Sequence, residues 1–211
     1  MGVNITTVIN HGLNKKEILD LPSKIDTWFE IENLIRSEIP KIISQEYVDE
    51  NYSKLKRAYF DNGIGYAENE SILDEKLLEM IWSRSEEDYY GAISTVSIVT
   101  YFADISINRK TIEVNLNPWN RYYLLQRAEM AKFIIRINRV IAKKLNQNKT
   151  LYFPDSMFPT QILNDFIYDG KTVEEIIEIG DTLFTKRPKE IEEGIDYYYF
   201  VDDFSDDLSK L

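Results

Sequence analysis

The sequence contains no cysteine and a single histidine, His11. Without cysteine the chain cannot form disulfides, zinc ribbons, iron–sulfur clusters or a cysteine nucleophile. One histidine excludes metal sites built from several imidazoles and any mechanism that uses two of them. Since His11 stands between Asn10 and Gly12, residues typical of turns, we interpret it as a structural residue rather than a catalytic base.

Recognisable enzyme motifs and long apolar runs are also absent from the sequence. There is no P-loop, no G-x-G-x-x-G fingerprint and no G-x-S-x-G elbow around a serine nucleophile. No apolar run approaches the ~18 residues that a membrane span needs. The first residues show neither the basic nor the apolar region of a secretory signal. We therefore expect a cytoplasmic protein with no identifiable catalytic residue, no metal, no cofactor and no contact with a membrane.

Positive charge is scarce and is concentrated in one segment. The 211 residues include 25 lysines and arginines against 36 aspartates and glutamates, which gives a net charge of −11. Residues 119–150 hold 8 of these basic residues but only one acidic residue, Glu129. This balance argues against nucleic-acid binding, which needs a broad basic surface. The basic segment is expected to pair with acidic segments that fold back over it. The alternatives are a site for an anion or an acidic partner, and a solvated face without a specific role.

The spacing of apolar residues predicts an α+β fold, in which helices pack against a mixed β-sheet in a single domain over residues 1–201. The sequence has no internal repeat and no low-complexity linker that would divide this domain. Residues 202–211 contain aspartates at positions 202, 203, 206 and 207 and are expected to form a frayed acidic C-terminal tail.

β-Branched and aromatic residues mark the predicted strands. These strands cover residues 3–9, 93–102, 111–116, 149–153 and, in a tyrosine-rich segment, 195–201. The second and third are expected to pair as an antiparallel hairpin around the turn at 107–110. The fourth is a short strand that follows the longest helix of the chain.

The longest helix is predicted from Pro118 to Leu145, because proline suits a first helical position and apolar residues recur behind it at helical spacing. Four basic residues fall mainly on its polar side: Lys132, Arg136, Arg139 and Lys143. The apolar stripe comprises Tyr123, Leu124, Ala128, Met130, Ala131, Ile134, Ile135, Ile137, Asn138, Ile141, Ala142 and Leu145. Further along, Thr172 and Glu175 have the spacing of a capping box and predict the start of another helix.

Acidic residues and tyrosines are the candidate binding residues. Four aromatic residues follow one another at 197–200, and on a strand alternate rings must point away from the core. Because protein interfaces are enriched in tyrosine, exposed tyrosines beside aspartates indicate a protein-binding surface. The residues predicted for this surface are Glu86, Glu87, Asp88, Tyr198, Tyr199, Asp202 and Asp203.

The favoured hypothesis is a non-enzymatic bacterial protein whose acidic, tyrosine-bearing surface binds and neutralises a basic protein, as an immunity protein or antitoxin does. Toxins that act on nucleic acid have basic active sites, and an acidic cover associates with them rapidly through electrostatic steering. A composition rich in Ile, Lys, Asn and Tyr indicates an AT-rich bacterial genome. The alternative is a small hydrolase or ligand-binding domain that uses the basic helix and carboxylates such as Asp104, Glu113, Glu129 and Asp155.

Overall fold

The computed structural model describes residues 4–25, 30–31, 33–34, 37–38, 96–99, 104–116, 128–155, 162–184 and 199–205. In chain order its strands are β1 (Ile5–Asn10), β2 (Val96–Val99), β3 (Asp104–Ile107), β4 (Thr111–Asn115), β5 (Lys149–Pro154) and β6 (Phe200–Asp203). The helices with described bounds are α1 (Lys15–Leu19), α2 (Leu21–Ile25), α3 (Ala128–Lys144), α4 (Ile162–Tyr168) and α5 (Val173–Leu183). The described residues between 30 and 38 are helical as well.

The six strands form one sheet in the order β2-β3-β4-β1-β5-β6, and every pairing between them is antiparallel. The predicted α+β fold is confirmed. The expectation of a mixed sheet is wrong for the described strands, and the path of the chain explains why. β1 lies between β4 and β5, and α3 carries the chain from one side of β1 to the other. β4 and β5 therefore run in the same direction but are not neighbours.

The predicted hairpin has the right turn but the wrong first strand. The turn closes where the N–H of Asn108 donates to the carbonyl of Thr111 at 2.8 Å, and it joins β4 to β3. Residues 96–99 form a separate strand, β2, that pairs with β3. The strand that pairs with β4 is therefore Asp104–Ile107, which lies after the predicted strand at 93–102; residues 93–95 and 100–103 of that prediction lie outside the described residues.

Helix α3 packs on one face of the sheet through the predicted apolar stripe. Its buried residues are Met130, Ala131, Phe133, Ile134, Ile137, Asn138, Ile141 and Ala142. Ile135 was expected to be buried with them but is only half-buried, and Ala128 is exposed. By helical spacing, both residues fall at the margin of the apolar stripe, so they lie at the edge of the contact between α3 and the sheet. None of the described helices has the length and apolar character needed to cross a membrane.

Helices α4 and α5 cover part of the opposite face of the sheet. Their apolar side chains form one cluster with residues of β1 and β5 and with Tyr199: Val8, Leu151, Phe153, Leu163, Ile167, Val173, Ile176 and Tyr199. The predicted capping box at the start of α5 is confirmed, since the backbone N–H groups of Glu175 and Thr172 each donate to the other residue's side chain. The N–H of Val173 donates to Asn10 Oδ1 at 2.7 Å and fixes α5 against the end of β1.

The first residues of the expected C-terminal tail belong to the sheet. Asp202 and Asp203 are the last two residues of β6, and the ring of Phe204 is buried. The N–H of Phe204 donates to the carbonyl of Asn148 at 3.0 Å, which extends the pairing with β5. The expectation of a frayed segment is therefore wrong for residues 202–205, because a buried ring and backbone pairing hold them. Residues 206–211 lie outside the described residues.

Candidate binding surface

The structure separates the residues that the sequence placed on a binding surface. Glu86, Glu87, Asp88 and Tyr198 lie outside the described residues. Asp203 is half-exposed, with its carboxylate held by Ser205 and by Lys149. Tyr199 and Asp202 are buried, which contradicts the exposure that the prediction of a binding surface assigned to them.

Tyr199 is buried because its ring lies against α5 at Gly180, the one position where the helix has no side chain. A Cβ atom added to Gly180 would lie 2.7 Å from the Tyr199 ring. The hydroxyl of Tyr199 reaches the carbonyl of Ile177 and the carboxylate of Asp181, and Phe184 packs on the ring at a centroid distance of 5.8 Å. Tyr199 thus anchors the segment before β6 to the helical layer and is part of the core.

Asp202 is buried because it pairs with a cation of the long helix. The guanidinium of Arg139 donates two hydrogen bonds to its carboxylate, at 2.8 and 2.7 Å. The same guanidinium lies 5.3 Å from the centre of the Phe204 ring, in a cation–π arrangement. The bidentate geometry matches a guanidinium to a carboxylate, so this acidic residue neutralises α3 and is not available to a partner.

Other cations of α3 are also neutralised within the chain. Arg136 pairs with Glu38 at 2.9 Å, and Lys144 pairs with Glu30 at 3.3 Å. The prediction that acidic segments fold back over the basic helix is confirmed for these two residues and for Arg139. An anion-binding site that uses these three residues is correspondingly less favourable, because their charge is already compensated.

The acidic surface of the described structure is formed by α4 and α5 on the other side of the sheet. Residues 162–184 carry six acidic side chains against Lys171 alone. On α5, Glu174, Glu178 and Asp181 recur at the spacing of one helical face and are exposed. On α4, Asp165 lies on an exposed face with Ile162 and Tyr168. We name this exposed face of residues 162–184 the acidic surface.

Two of the carboxylates next to the acidic surface are held ionised. The backbone N–H of Thr172 and the Lys110 ammonium lower the pKa of Glu175. Hydrogen bonds from the hydroxyl and N–H of Ser205, together with Lys149, lower the pKa of Asp203. Lys149 also lies 3.6 Å from Glu174 and so links β6 to α5. Fixed negative charge therefore lies beside the acidic surface at neutral pH.

Large apolar side chains interrupt the acidic surface. Tyr168 is 41% exposed, Leu183 is 50% exposed and Ile162 is 40% exposed. Of these side chains, Tyr168 is of the type that protein interfaces are enriched in. This surface is not among the residues predicted from the sequence, although the helical spacing of Glu174, Glu178 and Asp181 in an acid-rich segment is a signal that indicates it.

Three of the four carboxylates that the sequence offers for hydrolysis, Glu113, Glu129 and Asp155, have separate environments, and the side chain of Asp104 lies outside the described part of the chain. Asp155 binds the backbone and side chain of Asn4, and Glu129 is exposed in the first turn of α3. Glu113, in β4, accepts a hydrogen bond from Asn108 Nδ2 at 3.3 Å, and burial raises its pKa. Among the described residues, no group of three or more His, Cys, Asp or Glu side chains is arranged to hold a metal ion.

His11 is buried with both ring nitrogens in hydrogen bonds, which is the environment of a structural histidine. Nε2 lies 2.8 Å from the carbonyl of Asn108, and the N–H of Leu13 donates to Nδ1 at 3.3 Å. Nε2 therefore carries the proton of a neutral ring. Burial lowers the pKa of His11, and the hydrogen bond to Asn108 opposes this only in part. A second proton would have to enter at Nδ1, against the N–H of Leu13.

This environment predicts that His11 makes the fold sensitive to mild acid. Because its pKa is lower in the folded than in the unfolded chain, the unfolded chain binds more protons, and stability should fall as the pH drops below about 6.5. Above that pH, the neutral His11 ring makes its full contribution to stability. Urea unfolding between about pH 8 and pH 5 measures the slope. The free energy of unfolding should depend less steeply on pH in His11→Gln than in the wild type. Equal dependence on pH in the two proteins would show that His11 does not cause the acid sensitivity.

The fold and this surface define an antiparallel α+β protein with helices on both faces of its sheet and an acidic surface on the side of α4 and α5. Comparison of the chain with protein-family models, curated proteins and solved structures gives no match. What the protein binds must therefore be inferred from its own residues.

Proposed function

We propose that the protein is a non-enzymatic, cytoplasmic protein-binding module of bacteria, whose acidic surface binds and neutralises a basic protein partner in the manner of an immunity protein. The observation that supports this most is the unequal pairing of charge on the two helical layers. Three of the five cations of α3 are compensated, by Glu30, Glu38 and Asp202. By contrast, Asp165, Asp169 and Glu178 form no ion pair with any described residue.

The composition of the acidic surface suits rapid association followed by tight docking. Exposed carboxylates attract a basic partner over distances comparable to the Debye length, which raises the association rate. Exposed side chains such as Tyr168 and Leu183 can then be buried, and buried aromatic and aliphatic anchors govern dissociation. A basic protein that acts on phosphate-bearing substrates presents the complementary charge, which is the reason for favouring a toxin as the partner.

The first test is to immobilise the protein and to select peptides that bind it from a random display library. The proposal predicts that the selected peptides are rich in lysine and arginine. For a synthetic copy of such a peptide, Glu178→Lys should slow association about 10-fold, because an exposed carboxylate acts through long-range steering. Raising the ionic strength to ~0.15 M, where the Debye length is ~8 Å, should also slow association with the wild-type chain. Surface plasmon resonance measures both rates.

Glu129→Lys is the matched control for this experiment. It changes the net charge of the chain by the same amount, but on the α3 layer, where Glu129 is exposed. It should leave the association rate nearly unchanged. Equal slowing by the two variants would show that net charge acts without a defined surface, and selection of peptides that lack basic residues would refute the proposal.

A further inference from the structure

Strand β6 is an edge of the described sheet, and its free side can be assigned residue by residue. The N–H of Phe204 points towards β5, where it donates to Asn148. Since backbone groups alternate between the two sides of an antiparallel strand, Asp202 and Phe200 also face β5. The N–H and C=O groups of Val201 and Asp203 therefore point outward, and no described residue pairs with them.

Carboxylates of α5 lie near both ends of this free edge. At the start of β6, the hydroxyl of Tyr199 contacts Asp181. At its end, Lys149 lies 3.6 Å from Asp203 and 3.6 Å from Glu174, so the two carboxylates share one cation. Val201 packs against the apolar cluster under α4 and α5. Asp203 is two residues further along the strand, so its side chain lies on the same face of the sheet as the carboxylates of α5.

We infer that β6 is the docking strand for the partner, which adds an extended basic segment to this edge of the sheet. The inference rests on the proposed function and specifies how the same partner binds. Four backbone groups, on Val201 and Asp203, pair with the incoming strand. Lysine or arginine at alternate positions of that strand meets the carboxylates on the α5 side, since successive side chains of a strand point to opposite faces.

The charge at this edge also favours a foreign segment over a second copy of the chain. Short edge strands with charged residues discourage indiscriminate strand pairing. A second β6 would bring Asp203 beside another acidic strand, and like charges on neighbouring strands are destabilising. A basic strand reverses the sign of this interaction. The edge therefore selects for positive charge and not merely for an extended conformation.

Amide hydrogen exchange followed by NMR tests the inference on the wild-type chain. The probe is a short capped peptide in which lysine and threonine alternate; a peptide of the same composition with its lysines in one block is the control. In the free protein, the amides of Val201 and Asp203 should exchange faster than those of Phe200 and Asp202. A saturating amount of the alternating peptide should slow the exchange of Val201 and Asp203 about 10-fold, as expected for one new hydrogen bond each.

Val201→Pro and Val201→Ala provide a second, independent measurement. Proline removes an outward N–H without removing a hydrogen bond to β5, because proline is tolerated where the N–H faces away from the sheet. Alanine removes the side chain but keeps that N–H. We expect Val201→Pro to weaken binding of the alternating peptide about 10-fold more than Val201→Ala does. Exchange of Phe200, Asp202 and Phe204 reports whether each variant keeps the β5–β6 pairing.

The outcomes separate this inference from the proposed function. Suppose that the peptides bind and that Glu178→Lys weakens their binding, but that the amides of Val201 and Asp203 gain no protection from exchange. The acidic surface then binds the partner, and the role of β6 as the docking strand is refuted. The same conclusion follows if these two amides are already protected in the free protein, because the chain itself would then cover the edge. If neither peptide binds and the display library selects no basic sequence, the proposed function fails, and the inference fails with it.

Discussion

Replacing Arg139 by methionine should lower the free energy of unfolding by about 3 kcal/mol, because it leaves a carboxylate buried without its counterion. The side chain of Asp202 is only 7% exposed, and Arg139 supplies both of the hydrogen bonds that bridge the pair. Arg139 itself is 34% exposed. For this reason we expect the low end of the ~3–5 kcal/mol range for breaking a buried ion pair. Equilibrium unfolding in urea measures the change.

Arg136→Met is the matched control on the same helix. Arg136 is 49% exposed and Glu38 is 26% exposed, and ion pairs in contact with water contribute only about 0–1 kcal/mol. The double variant Arg139→Met with Asp202→Asn should recover part of the loss, since it also removes the buried negative charge. If Arg139→Met costs no more than Arg136→Met, then Asp202 is not held by this pair.

Replacing Tyr199 by alanine should cost about 3–5 kcal/mol, the range for removing a large buried ring from a core. The loss would show that Tyr199 belongs to the interior and not to a partner-binding surface. It should appear in the urea unfolding of the isolated chain, without any partner present. A cost below about 1 kcal/mol, which is typical of exposed positions, would instead restore Tyr199 as a surface residue.

The contact between Tyr199 and Gly180 also predicts the effect of Gly180→Ala on stability. The substitution should destabilise the wild-type chain but stabilise the Tyr199→Ala variant. In the wild type, the added Cβ would lie 2.7 Å from a ring carbon of Tyr199, so we expect a loss of about 1–3 kcal/mol. In the Tyr199→Ala background the ring is gone, and alanine should stabilise α5 by up to about 1 kcal/mol through its higher helix propensity. Gly12→Ala is the control, because nothing lies within 4 Å of the added atom.

Several local features were predictable because their causes lie within a few residues. The capping box of Thr172 and Glu175 requires only two side chains and their own backbone. The stripe of α3 follows from helical spacing, and the turn at Asn108 follows from residues that favour reversals. Ile135 marks the limit of such reasoning, since the tilt of the helix on the sheet decides which row of an apolar stripe is covered.

The candidate binding surface was not predictable in the same way. Asp202 and Tyr199 stand in an acidic, tyrosine-rich segment that reads as exposed when the sequence is considered alone. Their burial depends on Arg139 and Gly180, which lie 63 and 19 positions away in the sequence. Local composition contains no information about such partners. A charged side chain becomes an interior residue only when the fold brings a counterion to it.

The sequence by itself determined the α+β class, the acidic excess and the single basic segment, because these depend on composition and on short-range periodicity. The tertiary structure alone decided which charges are paired within the chain and which stay exposed. Antiparallel pairing of every neighbouring strand, with β1 at the centre, puts α3 on one face of the sheet and α4 and α5 on the other. Long-range contacts then compensate cations of α3, while Asp165 and Glu178 stay exposed on the opposite layer. Coulomb interactions depend on distance in space, and folding sets that distance independently of separation along the chain.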